Sequence, residues 1–423
     1  MPVVSFPYGK ETLSWAVPDE RFRGEMVSRL HSYQAKKSQE ALVDEALANP
    51  IGAPPLYVMA EGKKSVVLLA SDHTRPVPSK IIVPRMLAEI RKGNPNAEIT
   101  ILIATGCHRE TTKTELEDKF GPEIIRNEKI ILHDCDSPDM VNLGKLPSGG
   151  DLILNKLAIE ADLLVAEGFI EPHFFAGFSG GRKSVLPGIA SRKTVVYNHN
   201  AEFIAHPKAR TGVLDGNPIH IDMIHAARVA ALAFICNVVI NAEKEVIYAV
   251  AGDCDIAHRQ GTDFLASKCG VKVIPADIVI STNGGYPLDQ NIYQAVKGMT
   301  AAEAAVKKDG VIIMLAKSND GHGAPEFYKT FAEEKNLDRM LDTFMKTPKE
   351  NTRIDQWQSQ IFARVLKHAR VIYISEAPDQ MVQDLHMIPA HSIPDAVKMA
   401  EKILGNSQPS IAVVPDGVAV MVL

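Results

Sequence analysis

Aromatic residues make up only 6% of this chain, and its five cysteines stand at irregular intervals. None of the five (Cys107, Cys135, Cys236, Cys254 and Cys269) forms a C-x-x-C pair with another. A sparse, odd set of thiols without paired spacing excludes a disulfide scaffold and a cysteine zinc site, and points to a reducing compartment. Excess charge of either sign is also missing. Lys and Arg total 46 against 51 Asp and Glu, a net −5, which argues against a nucleic-acid-binding surface. The most apolar stretch, residues 229–240, is too short to cross a bilayer as a helix. The opening MPVVSFPYGK has neither the basic start nor the apolar run of a signal peptide. A cytoplasmic protein with no membrane partner is expected. No solenoid period or low-complexity tract occurs.

What is present is a repeated alternation of short apolar runs with helical patterns. At 423 residues and 46% hydrophobic, the chain has material for two or three domains with ample cores. Residues 65–70, 99–104 and 162–166 read as buried strands, each followed by a polar loop and then a helical segment. Thr112 to Glu115 is a capping box for one of these helices. Four more short strands, near 277–281, 311–316, 370–375 and 410–414, are spaced by helices near 290–308, 326–334, 357–368 and 393–404. The expectation is two α/β domains with largely parallel sheets, residues 1–270 and 271–423, with the active site in the cleft between them. In such sheets ligands collect at the carboxyl ends of the strands. The loops carrying Asp72 and Arg75, His108, and His173 could therefore converge.

One stretch organises the chain, GFIEPHFFAGFSGGRKSVLPGIASRKTVVYNHN over residues 168–200. A strand leads into it, and the pattern predicts a helix over 191–205 on leaving it. Strand, glycine-rich turn and helix together make an anion cradle, with Lys183 at its heart. It is not a P-loop, because Arg182 stands where that motif requires glycine before the lysine. A tight glycine turn with a solvated Arg–Lys pair is the plainer alternative. His173 and His199 flank the cradle, and imidazole is both a common metal ligand and a general base. His220, His225 and His258, on later helices, read as structural or solvated. Cys107, beside His108, reads as a buried structural thiol rather than a nucleophile.

Several ordered blocks together resemble the nickel-pincer nucleotide-dependent lactate racemase family. They are Ser71-Asp72-His73-Thr74-Arg75-Pro76, Thr105-Gly106-Cys107-His108-Arg109, Glu171-Pro172-His173-Phe174-Phe175-Ala176-Gly177, Gly181-Arg182-Lys183-Ser184, Tyr197-Asn198-His199 and Tyr293-Gln294-Ala295-Val296-Lys297-Gly298. The resemblance implies a racemase of a small 2-hydroxy acid, with lactate first. A malate or sugar-acid racemase or epimerase, and a non-catalytic nucleotide or metal carrier, are the alternatives. It implies a pyridinium-3,5-bisthiocarboxylic acid mononucleotide carrying nickel, tethered covalently to Lys183 and supplied by separate maturation proteins. Asp72, Arg75, Gly177, Ser179 and Gly180 would help hold that nucleotide, and His199 would ligate the nickel. His108 and His173 would be the acid/base pair. Arg75 and Lys297 would anchor the substrate carboxylate, with Gln294, Tyr293 and Trp357 lining the pocket. Arg75 could instead hold the cofactor phosphate.

Overall fold

The computed structural model describes residues 1–30 and 32–423. Two compact units emerge: Leu30–Ser267, and a second built from Met1–Arg29 together with Lys268–Leu423. The difference from a boundary at residue 270 lies at the N-terminus. Phe22–Glu25 is a strand that pairs in parallel with Ile411–Val414, and the Met26 amide donates to the Val413 carbonyl at 2.8 Å. Backbone pairing thus ties the first residues to the C-terminal sheet, a link that no local pattern in residues 1–29 announces.

In the unit of residues 30–267 a six-stranded sheet runs in the order Val246–Gly252, Leu232–Ile240, Leu163–Phe169, Ser65–Ser71, Glu98–Ala104, Lys129–Leu132. All neighbours are parallel except the edge pair of Val246–Gly252 with Leu232–Ile240. Strands covered on both faces must be apolar throughout. Ser65–Ser71 reads SVVLLAS, and every residue of Leu163–Phe169 is buried. Strand order reverses between these two. From Ser65–Ser71 the chain builds one way through Glu98–Ala104 and Lys129–Leu132, then returns to lay Leu163–Phe169 on the other side. At such a switch point two adjacent strands send their loops apart and leave a crevice. The loops that open there are residues 72–78 and the glycine-rich stretch beginning at Ile170.

The unit of 1–29 and 268–423 repeats this plan. Its sheet runs Ile388–Ala390, Arg370–Ile374, Val306–Leu315, Ala276–Thr282, Ile411–Val414, Phe22–Glu25, all parallel. Its switch point lies between Ala276–Thr282 and Ile411–Val414. The helix expected over 290–308 is shorter, Ile292–Glu303, because Val306 already begins a strand. The hairpin Met140–Lys145 with Asp151–Asn155 and the helix Leu337–Lys346 are further elements that the apolar pattern did not reveal. Among the described residues no helix is long and apolar enough to cross a membrane.

The helix predicted over 191–205 is two helices, Arg192–Asn198 and Ala201–Ala205. His199 ends the first and Asn200 starts the second. Asn200 sits in an extended conformation; its side-chain oxygen accepts from the Phe203 amide at 3.0 Å, and its amide donates to the Tyr197 carbonyl at 2.7 Å. One residue thereby caps both helices. The break leaves His199 at a helix end instead of mid-helix.

Candidate functional site

The loop after Ser65–Ser71 is folded around one carboxylate. Asp72 is buried, and its Oδ1 accepts from the Thr74 amide at 3.1 Å and the Thr74 hydroxyl at 2.6 Å. Its Oδ2 lies 2.6 Å from His108 Nδ1. Burial acts upward on the Asp72 carboxyl, but the His108 hydrogen bond and charge, with Thr74 and Arg75, hold it down at about 2. An ionised carboxylate can only accept, so Nδ1 of His108 carries the proton. In the neutral ring Nε2 is then the bare nitrogen, the tautomer a general base needs, fixed as a carboxylate fixes the histidine of a catalytic triad. Arg75 donates to the Thr74 hydroxyl at 3.1 Å, and its own carbonyl accepts from half-buried Lys119 at 3.2 Å.

The glycine-rich stretch is held from inside by Arg182. This side chain is 0% exposed. It donates to the carbonyls of Ala176, Phe178 and Gly180 at 2.8, 2.8 and 3.2 Å, and to Nδ1 of His220 at 3.1 Å. His258 is buried against the same guanidinium and donates from Nε2 to the Ser179 carbonyl at 2.7 Å. Loss of water drives the Arg182 pKa down to about 9. Arg182 is therefore no solvated cation, and its hydrogen bonds shape the loop rather than meeting an anion. The loop's amides are partly committed too: Ser179 N bonds the Glu171 carbonyl and Gly181 N bonds Asn237 Oδ1 at 2.7 Å. The Ser179 hydroxyl donates to the Phe169 carbonyl at 2.9 Å. Gly180 has φ +77°, and a Cβ there would stand 2.7 Å from Asn237 Oδ1, so glycine is required by protein packing at that point.

Beyond Arg182 the expected residues do meet. Phe175, buried at 4% exposure, touches His173 edge-on at 4.4 Å between ring centres and His199 at 5.2 Å. The Lys183 ammonium lies 5.9 Å from the same ring. His199 is buried, and its Nδ1 donates to the Val195 carbonyl at 3.0 Å, which places the lone pair of the neutral ring on Nε2. Burial foremost, then the Lys183 charge, pushes its pKa down to about 3, so the ring stays neutral. His173 has the opposite tautomer. Its Nδ1 accepts from the Ala176 amide at 3.3 Å, so the neutral ring carries its proton on Nε2. The two clusters are tied through the backbone: Gly106 N bonds the Gly188 carbonyl at 2.9 Å, and Gly188 N bonds the Lys183 carbonyl at 3.1 Å.

Tyr293, Gln294, Lys297 and Trp357 belong to the other unit. The first three lie on Ile292–Glu303 and Trp357 on Gln356–His368. The Tyr293 hydroxyl donates to Asp355 at 2.6 Å, and Gln358 donates to the Tyr293 carbonyl, which brings Tyr293 beside the start of the Trp357 helix. Asp355 holds a left-handed conformation, φ +64°, a strained state for a non-glycine residue. Sequence reasoning missed Phe175, Arg182 and Asp355. The Phe-Phe pair after His173 was the signal available for the first.

Two histidines packed on Arg182 predict acid sensitivity. Burial and then the Arg182 charge depress His220 to about 3, and the same causes hold His258 well below its usual value. The unfolded chain then binds more protons than the folded one at every pH between about 6.5 and 3, so stability is full above about 6.5 and falls as pH drops through that window. Thermal unfolding followed from pH 7 to pH 4 should show a steady fall in Tm. Replacing His258 by Gln should flatten that fall, and a slope equal to wild type would show that His258 is not the group responsible.

Comparisons with known proteins match the chain along its length. Residues 8–212 match the family described as the lactate racemase N-terminal domain, and residues 271–422 the lactate racemase C-terminal domain. A lactate racemase of Thermoanaerobacterium thermosaccharolyticum is 52% identical over 100% of this chain and 99% of its own. One of Lactiplantibacillus plantarum is 50% identical over the whole of both chains. The solved lactate racemase apoprotein from T. thermosaccharolyticum superposes with a TM-score of 0.96 at 51% identity, covering 100% of both chains. A Thermotoga maritima protein at 19% identity and TM-score 0.62, covering 90% of this chain and 96% of its own, shares the fold alone.

Proposed function

The chain belongs to the lactate racemase family, a family of isomerases, and on that premise we propose that it interconverts D- and L-lactate using a nickel-pincer pyridinium nucleotide tethered to Lys183. The observation that carries this reading is the grouping of Lys183, His199 and His173 around the Phe175 ring. A buried neutral imidazole with its Nδ1 hydrogen engaged suits a divalent nickel ion through Nε2. The amine of Lys183, on the same ring, suits a covalent tether. The residues present therefore fit the group.

When bound, that group supplies an acceptor for the C2 hydrogen as hydride, which the protein's own side chains cannot. The remaining work falls to the chain. His108, oriented by Asp72, takes the hydroxyl proton at Nε2, and a protonated His173 gives one to oxygen on the opposite face and is left as the neutral ring; each exchanges its role in the reverse direction. Arg75 and Lys297 pair with the carboxylate, or Arg75 with the nucleotide phosphate. Tyr293, its hydroxyl held by Asp355, would line the substrate with Gln294 and Trp357. Asp72, Gly177, Ser179 and Gly180 shape the two loops that hold the nucleotide. The partners are the 2-hydroxy acid and the proteins that build the cofactor, and an odd number of cysteines without C-x-x-C spacing suits a cytoplasmic setting.

The test is protein produced with the maturation proteins and nickel. It should bring L-lactate to a racemic mixture, followed by chiral chromatography. His199→Ala should keep the organic adduct on Lys183 yet lose nickel affinity by about tenfold or more. Nickel held at wild-type stoichiometry through chelator dialysis would assign the ligand elsewhere, and inert wild-type holoprotein would overturn the lactate reading.

A further inference from the structure

Glu167 lies beneath the site, on Leu163–Phe169 at the switch point, and is 1% exposed. Its Oε1 accepts from the amide and the hydroxyl of Ser71, at 3.1 and 3.2 Å. The Ser79 hydroxyl donates to Oε1 and Oε2 at 3.0 and 3.1 Å. Ser71 is the last residue of its strand and immediately precedes Asp72, while Ser79 opens the helix Ser79–Gly93. One carboxylate therefore grips both ends of the loop 72–78, and Lys119 holds that loop's middle through the Arg75 carbonyl. We propose that Glu167 is a positioning residue for the reaction, clamping the 72–78 loop so that Asp72 meets His108 Nδ1 and Arg75 keeps its place.

The physical case is one of cost. Burying a carboxylate strips it of water at a cost its hydrogen bonds must offset, and replacing such a buried charge by a well-packed apolar side chain is often neutral or stabilising. Burial indeed drives the Glu167 pKa upward, against Lys119 and the serine donors. A group so disfavoured for stability has its use in the geometry it imposes. Misplacing a catalytic group by about 1 Å can lower a rate by about a hundredfold. A loop released at both ends has that freedom.

This inference rests on the acid/base reading of His108, and the test separates the two. Four variants, Glu167→Ala, Glu167→Gln, Ser79→Ala and His108→Ala, would be loaded and assayed, with rates normalised to the covalent adduct seen by intact mass. The same proteins without cofactor would be followed by hydrogen–deuterium exchange across residues 72–78. Glu167→Ala should lose kcat by about ten- to a hundredfold with KM changed far less, and exchange in the loop should quicken. Glu167→Gln keeps an acceptor oxygen for Ser71 and offers an N–H to the Ser79 hydroxyl oxygen, so it should recover most of kcat and the protection. Ser79→Ala, which frees one end and leaves the carboxylate, should fall between, and carries the test should Glu167→Ala fail to fold. Equal losses in Gln and Ala, or full kcat in both Ala variants while His108→Ala is dead, would overturn the clamp. Full activity in His108→Ala would instead overturn the acid/base reading, with the exchange data still deciding whether Glu167 holds the loop.

Discussion

Lys183→Ala protein, made alongside the maturation proteins, should show the bare polypeptide mass and racemise no lactate above background. The expectation follows from where the lysine sits. Its ammonium stands 5.9 Å from the Phe175 ring, beside two histidines, on a loop whose shape is set by Arg182 beneath it. The amine ends a half-buried side chain, and the fold is expected to survive its removal. Lys183 is half-buried whereas Arg182 is fully enclosed, so Tm should fall far less than in an Arg182 variant. Lys183→Arg sharpens the test: it restores the positive charge but cannot form the same acyl linkage, so a role as phosphate partner would be rescued and a tether would not. A wild-type adduct mass or appreciable turnover in Lys183→Ala would sink the covalent reading. The contrast is Arg182→Met, for which His220 and the carbonyls that Arg182 binds lose their donor and the loop should unfold locally.

Much of this was legible in the chain because parallel strands announce themselves. SVVLLAS and LLVAEGF admit few other readings, and the loops that follow carry polar residues with no place in a core. The meeting of Lys183, His173 and His199 was likewise readable as a grouping within one stretch. What held them was not. Arg182 reads as a surface cation by residue type, and only the fold shows carbonyls and imidazoles enclosing it. Its partners His220 and His258 lie 38 and 76 residues away, beyond any local pattern. Asn200 could have been seen as a double cap, since Asn-His-Asn offers two capping side chains. Helical periodicity on both sides concealed the break that puts His199 at a helix end. The glycines teach a different lesson. The glycine-rich turn reads as an anion cradle, yet at Gly180 and Gly181 the space a side chain would need is filled by Asn237 and His258. Glycine spacing indicates a tight backbone; it does not say what presses against it.

His108→Ala and His173→Ala should each lose racemisation in both directions, by about a hundred- to ten-thousandfold, the range for removing a positioned acid or base. The two are expected to be equally damaging because each direction needs a proton taken on one face and given on the other. Their surroundings already distinguish them. Asp72 holds a proton on Nδ1 of His108, while the Ala176 amide donates to Nδ1 of His173, so the two neutral rings present opposite states at Nε2. Asp72→Asn should reverse the first of these, since an amide nitrogen can donate to Nδ1 and drive the proton to Nε2; it should cost kcat nearly as much as His108→Ala while leaving His108 in place. The isotope completes the argument. The C2 hydrogen of lactate is a poor acid beside a carboxylate that is already negative, so neither histidine is expected to remove it as a proton. On the proposed hydride route they act on the hydroxyl oxygen while the C2 hydrogen passes with its electron pair to the cofactor. L-lactate deuterated at C2 should therefore racemise in ordinary water with its label kept, and with a primary isotope effect where that step limits turnover. If deuterium washes out at the rate of racemisation, the histidines are working on carbon, and a two-base proton transfer replaces the hydride route.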